Sequence, residues 1–501
     1  MDGVGDIFGT LDTPVKKKKH RMESKAWNTV ATKGAPDNAR DQSKHPIEST
    51  LYLEHVHGYR GQDVRNNLYY AADGTVVYIA AALGICVDSK TKKQRFMGTH
   101  TDDIISLALT HEKNFSFVAT GQIGRNPLIC IWRSDTMQVV STITDCHTRG
   151  VCRVAFSPNG LILASVGIDN QNSLALHNWK SGKQLINVRT GGDKVFGLCF
   201  HPTDDTQLVT CGHKHLTFWN RTGSGMEDAN GTFGRNLANT ISVLDTCYDE
   251  AGRVFAATSL GHLCVFAPAS QSKKMLGFGQ GSIENAHDGP INCVEIVSGG
   301  QHIVSGGKDG KVKVWEWESG AVRELNEFKL PARIPSVQSL SVLGSLNSSR
   351  CQALVGTRGS DVLEISLLTG KRLTSKPIIT GHNYGELWGL VCHPVDPNIF
   401  ITSGDDKTVR MWNVSNQECV ATTKPETLPD MSRCLAMTSN AKFICCGCGG
   451  RLGGRKVGDM GKHAGKVVIL NGANLKHLST FKVAKEQVSD LCYSSDGNTL
   501  V

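Results

Sequence analysis

An all-β fold of many small repeated sheets is the class this sequence predicts, on three observations. Beyond about residue 50, short apolar runs alternate with turn clusters to the end of the chain, and no long stretch carries a 3.6-residue apolar period. Glycine is abundant, 53 of 501 residues, and spread as many tight turns between short strands require. A strand ending in an apolar or aromatic residue recurs at Trp132, Leu176, Trp219, Phe266, Trp315, Ile365, Trp412 and Ile469, at intervals of 44, 43, 47, 49, 50, 47 and 57 residues. A four-stranded propeller blade repeats about every 40–45 residues, and loop insertions lengthen the period.

The clearest unit runs from His287 to Trp315. Ile291–Val294 leads to Gln301–Gly307 and then, through the Lys308-Asp309-Gly310 turn, to Lys311–Trp315. A second unit, Gly381-His382 through Asp406 to Trp412, has the same order of strand, Gly-rich turn, strand, Asp-led turn and strand closing on Trp. Each resembles a WD-type blade, although Glu316 and Asn413 stand where the Asp of the WD pair is expected. Earlier units repeat the scheme: Val151–Phe156 turns at Ser157-Pro158 into Leu161–Val166, and Val195–Phe200 turns at His201-Pro202 into Gln207–Gly212. Proline at these turns stops the hydrogen-bond ladder.

One blade cannot bury both faces of its sheet, so blades stack around a ring whose closure removes exposed edges. About eight units and a fragment, Val488–Val501, are present. The expectation is therefore a WD-type β-propeller of about seven blades at 91–430 and the start of a second, truncated propeller at 431–501. Trp219, Trp315 and Trp412 should occupy equivalent places in their sheets.

His287, Ser305 and Asp309, and again His382, Ser403 and Asp406, carry the residue types of a hydrolase triad. A catalytic triad occurs once; this set recurs per blade, with Trp315 and Trp412 each six residues past the Asp. These residues are expected to form a buried hydrogen-bond network tying turn to strand, because buried polar groups need partners. No phosphate-binding Gly-x-x-x-x-Gly-Lys-Ser/Thr loop exists. Cys445 and Cys448 form a lone Cys-x-x-Cys, short of the four ligands of a zinc site. His213 and His215 fall where a blade turn belongs. No enzyme, cofactor or metal is expected.

Bulk composition narrows the setting. The net charge of +8 is modest, with no basic face of the kind nucleic-acid binding needs. The 17 cysteines sit mostly in apolar runs, as small hydrophobes do in a reducing compartment. No secretory signal follows Met1, and no stretch approaches 18 apolar residues. A cytosolic protein without nucleic-acid or membrane partners is expected. Residues 1–47 are polar and read as a disordered tail carrying the basic cluster Lys16, Lys17, Lys18, Lys19, His20 and Arg21.

Residues 51–87 do not look like a WD blade. Leu51–Tyr70 contains Gly58-Tyr59-Arg60-Gly61, then Asp63, Arg65, Asn67 and Leu68, with a strand after Asp73-Gly74. This stretch resembles the hydrophobic motif of the echinoderm microtubule-associated protein-like family, which also precedes WD repeats there. Gly212–Trp219 is similar to that family's third repeat, and Gly449–Lys456 to its Gly- and Arg-rich loop; the likeness runs from Leu51 to the end. It implies two joined propellers, the motif buried near their junction, and binding to tubulin or microtubules as a scaffold in the cytoplasm and cytoskeleton. Apolar Leu51, Leu53, Val56 and Leu68 lie beside Arg60, Asp63 and Arg65. Buried charge is costly unless paired, so Arg60 or Arg65 is expected to meet Asp63 or backbone carbonyls. No heptad repeat marks residues 1–50, which leaves self-association open. Microtubule surfaces are acidic, making Lys16–Lys19 and Arg21 candidate contacts; a nuclear address or a solvated charge run reads equally well. Arg451, Arg455 and Lys456 are a second candidate patch, or a blade insertion. The alternative function is a protein–protein adaptor that uses a propeller face.

Overall fold

The computed structural model describes residues 52–501 except 192–193, 234–240, 268–273, 277, 279–280, 298–299, 319 and 450–464. Two compact units divide the chain at Val56. In the first, Tyr52 and Leu53 are exposed. The second, His57–Val501, holds nine antiparallel sheets among the described residues, seven of four strands and two of three. Sequential strands are neighbours in every sheet, so each is a meander.

The first strands of the sheets are Leu68–Tyr70, Ile104–His111, Val151–Phe156, Val195–Phe200, Val243–Tyr248, Ile291–Ile296, Val337–Gly344, Leu387–Cys392 and Ser432–Met437. From the second sheet to the seventh, each first strand packs against the next. The contacts then return to their start: Leu68–Tyr70 of the first sheet packs against Val337–Gly344 of the seventh and touches Ile104–His111 of the second. Tyr70 N–H donates to Ser341 Oγ at 3.1 Å and Tyr70 Oη to Glu364 at 2.7 Å, while Ala72 N–H donates to Ser116 Oγ at 2.9 Å. The eighth and ninth sheets pack on each other through Leu387–Cys392 and Ser432–Met437.

The eight residues that mark the sequence repeat all lie in third strands, including Ile129–Arg133, His215–Thr222, Lys311–Glu318 and Val409–Asn413. Trp132, Trp219, Trp315 and Trp412 pair with Val118, Leu208, Ile303 and Phe400 of the adjacent second strands. Eight sheets share a second signature, a register shift near the start of the first-to-second strand pairing, as at Ile291/Cys293 and Leu387/Gly389. The first sheet, Leu68–Met97, lacks this bulge and was not visible as a repeat. Its first strand is three residues long and sits inside the motif, so no period announces it.

Burial follows position within a sheet. The second strand Ile162–Gly167 is wholly buried, being covered on both faces by neighbouring sheets. Last strands are wetter and charged: in Ala321–Lys329, Glu324 and Glu327 pair with Lys313 at 2.9 and 3.0 Å, which guards an open edge. The eighth sheet differs. Its first strand is largely exposed, with Leu387, Trp388 and Leu390 at 57, 50 and 69%. Residues 488–501 form a small hairpin on the ninth sheet, where Cys492 and Val501 exchange both backbone hydrogen bonds at 2.9 Å.

Candidate functional site

Residues 57–70 tie several sheets together. The His57 ring lies 4.3 Å from that of Trp412 in the eighth sheet. Two residues on, Tyr59 N–H donates to Ser360 Oγ at 3.0 Å, and that hydroxyl donates back to Tyr59 O at 2.8 Å. The Tyr59 hydroxyl reaches Asn67 Oδ1 and lies 2.8 Å from Ser339 Oγ of the seventh sheet. Asn67, fully buried, uses its amide to hold Arg60 O at 2.7 Å. Gly61 is required by space: a Cβ there would sit 2.1 Å from Thr357 O and 2.7 Å from the Tyr59 ring. Leu68 is fully buried, whereas Leu53 is 44% exposed.

Arg60 makes a two-pronged contact with Asp63, Nε to Oδ1 at 3.0 Å and NH2 to Oδ2 at 2.9 Å, and reaches Asp103 ahead of the second sheet at 2.7 Å. The fork geometry matches a carboxylate, as arginine does and lysine cannot. Burial opposes the Arg60 charge, yet the two aspartates hold its pKa above the ordinary value. Arg65 takes a different course, over the Phe196 ring at 5.2 Å. Burial first, then Arg153, pushes it down to about 10.

Around Arg65 stand ionisable groups from the first strands of separate sheets. Arg153 donates to Phe196 O and, at 2.8 Å, to Cys152 O. Asp245 accepts from Val294 N–H at 2.9 Å, and burial raises its carboxyl despite that bond. Glu295 has one oxygen without a hydrogen-bond partner, and burial pushes its carboxyl up to about 8. Nothing in the sequence pattern pointed to Arg153, Asp245 or Glu295, because each stands singly in an apolar strand.

In the sixth sheet the polar set is one network. Ser305 Oγ lies 2.8 Å from His287 Nε2 and accepts from Trp315 Nε1 at 2.8 Å, while His287 Nδ1 faces Asp309 at 3.1 Å. Hydrogen bonding from His287 and from backbone N–H groups holds the Asp309 carboxyl low, against burial. The eighth sheet repeats this with one correction: the hydroxyl is Thr402, not Ser403. Thr402 Oγ1 lies 2.9 Å from His382 Nε2 and 2.7 Å from Trp412 Nε1, and His382 Nδ1 meets Asp406 at 2.9 Å. Ser403 points the other way and pairs with Ser432 Oγ of the ninth sheet at 2.7 Å. Strand side chains alternate faces, so a one-residue slip changes the neighbour. The spacing from hydroxyl to Asp, 305 to 309 and 402 to 406, was the available signal.

Two further networks went unnoticed in the sequence. His100 Nε2 meets Thr120 Oγ1 at 2.7 Å, and Trp132 Nε1 donates to the same hydroxyl at 3.2 Å. His147 Nε2 meets Ser165 Oγ at 2.7 Å, with Asp169 accepting from Ser173 beside it. In the fourth sheet His215 lies 2.8 Å from Thr210, the acceptor of Trp219 Nε1, and His213 faces Ser242 at 3.1 Å. Cys445 lies 2.6 Å from the Tyr493 hydroxyl. Lys16, Lys17, Lys18, Lys19, Arg21, Arg451, Arg455 and Lys456 lie outside the described residues, as does the 1–47 tail.

Successive antiparallel sheets, four of them with an indole tied through a hydroxyl to the sheet's own second strand, define a WD-repeat β-propeller protein, a non-catalytic scaffold architecture. A family model described as the echinoderm microtubule-associated protein first beta-propeller matches residues 93–365, the HELP motif model matches 47–85, and the WD domain, G-beta repeat model matches 373–413. The first covers more than half of the chain, and the chain belongs to the echinoderm microtubule-associated protein-like family. It is 28% identical over 472 residues to the 77 kDa echinoderm microtubule-associated protein of Strongylocentrotus purpuratus, covering 91% of this chain and 62% of that one. The human echinoderm microtubule-associated protein-like 2 is 29% identical over 77% of this chain and 57% of its own length. For human echinoderm microtubule-associated protein-like 1 the figures are 30%, 72% and 43%. The chain thus spans about half the length of these relatives.

Proposed function

We propose that this chain is a non-enzymatic scaffold that binds tubulin or microtubules and organises or stabilises the microtubule cytoskeleton of the cytoplasm. The observation that carries the reading is the motif at residues 57–68, matched by the HELP model and seated against the first, seventh and eighth sheets at once. The names of the relatives supply the partner: the sea urchin and human proteins are microtubule-associated by title.

The same contacts support a working form for the scaffold. The first seven sheets, from about residue 57 to 380, make one closed propeller, with the motif's own sheet as its seventh blade. In this reading the eighth and ninth sheets belong to a second propeller that begins at about residue 380. Two rings hinged on His57–Tyr59 would present a broad rigid surface to a polymer lattice, with loops at the ring faces for recognition. The Lys16–Arg21 cluster adds salt-sensitive attraction to an acidic surface.

Co-sedimentation of the full chain with polymerised tubulin, at rising salt, tests this. Pelleting at low salt that weakens as salt rises is expected, with further weakening when Lys16–Lys19 are neutralised. A chain that stays in the supernatant at low salt, and instead captures a set of non-cytoskeletal proteins, is a general adaptor.

A further inference from the structure

A groove of about 760 Å³ opens between the outer margins of the eighth and ninth sheets. Its walls include Thr422, at the end of the last strand Glu418–Thr422, and His477 and Thr480 of the last strand His477–Lys482. Lys424, Lys466 and Lys476 line it against a single carboxylate, Glu426. Among the described residues no carboxylate pairs with any of the three lysines. Three ammonium groups against one carboxylate leave the concavity net positive, and its walls focus that field.

We infer that this groove binds an extended acidic peptide. Three features select that ligand over other polyanions. Both flanking strands are the last of their sheets, so their outer edges offer backbone donors and acceptors that an added strand can use. Lysine ammonium groups and threonine hydroxyls are point donors that can meet separate carboxylates along an extended chain, and no arginine fork, which grips a phosphate bidentately, lines the groove. Nor does any Phe, Tyr or Trp, the stacking platforms on which nucleic-acid bases rest. From His477 to Thr480 the strand lines the groove over four residues at about 3.3 Å each, a track for roughly four residues of peptide. This site is separate from the motif at 57–70, and the inference does not depend on tubulin binding.

Titration of the full chain with a capped octaglutamate peptide, followed by calorimetry or fluorescence anisotropy, tests it. Binding at low salt that declines as salt rises is expected. Triple reversal of Lys424, Lys466 and Lys476 to Glu should weaken binding by at least roughly tenfold, since exposed charge pairs each contribute a few-fold. Glu426→Gln should strengthen it. The milder Lys→Gln triple serves if reversal disturbs folding, which a thermal melt reports. Reversal of Lys90, Lys113 and Lys183, exposed in other sheets, is the control and should leave affinity within about threefold. An absence of binding at low salt, an equal loss in the control, or binding of a single-stranded oligonucleotide in place of the peptide overturns the inference.

Discussion

A hydroxyl two residues along from the indole's cross-strand partner decides each network: Thr120 beyond Val118, Thr210 beyond Leu208, Ser305 beyond Ile303 and Thr402 beyond Phe400. Side chains two apart share a face, so the hydroxyl and the indole meet whatever the hydroxyl's type. Removing it leaves buried donors unsatisfied, at about 1–3 kcal/mol each. Thr402→Val, close in volume, should therefore lower stability by about 2 kcal/mol or more, because both Trp412 Nε1 and His382 lose their partner. Ser403→Ala removes only the bond to Ser432 and should cost about 1 kcal/mol. Urea unfolding of the two variants separates them, and a larger loss for Ser403→Ala contradicts the assignment. The sequence did show that His, hydroxyl, Asp and Trp belong together. It misplaced one hydroxyl because Ser403 matches Ser305 by residue type, while Thr402 matches it by spacing.

Within a sheet, the network is also an acid-sensitive latch. Burial lowers the His382 pKa, and the buried Asp406 carboxyl is held low by His382 and Thr408. Asp309 is likewise low in the sixth sheet. A carboxylate whose folded pKa lies below its unfolded value of 3.8 contributes stability that is present above 3.8 and lost as pH falls through the folded value. The urea midpoint should thus drop steeply below about pH 4, and Asp406→Asn should flatten that drop relative to the parent chain. An unchanged slope in the variant would remove Asp406 from the latch. The element that escaped the sequence is the first sheet. An apolar strand at Val76–Ala82 was visible in the sequence, and the structure ends it at Ala80; its three partners were not visible, because Leu68–Tyr70 is short and lies within a motif rich in polar residues. Its place next to Ser339 and Ser341 is a tertiary fact with no local sign.

Across the whole molecule, the motif's Arg65 and the first-strand residues Arg153, Asp245 and Glu295 come into one environment from positions far apart in the chain. Glu295 carries the clearest consequence. Its folded pKa of about 8 lies above the ordinary 4.5, so the folded chain keeps a proton that the unfolded chain has lost between those values. The folded state is therefore favoured by protonation, and this contribution falls as pH rises from about 4.5 to 8 and is gone above it. Glu295→Gln, which keeps the shape and cannot ionise, should raise the thermal midpoint at pH 9 and leave it nearly unchanged at low pH. Thermal melts across pH test this, and a parent and variant that differ equally at every pH refute it.

What the sequence by itself determined was the repeated element and the family. Strand alternation, regular turns and the third-strand indoles are local patterns with a fixed period, and the Gly58–Leu68 motif is an ordered run of residue types. Only the tertiary structure decided which sheets touch. Contacts such as Tyr59 with Ser360, Arg60 with Asp103 and Glu295 among groups of other strands join residues up to 301 positions apart. Stacking of whole sheets brings such residues together, and pairing along one strand leaves no trace of it.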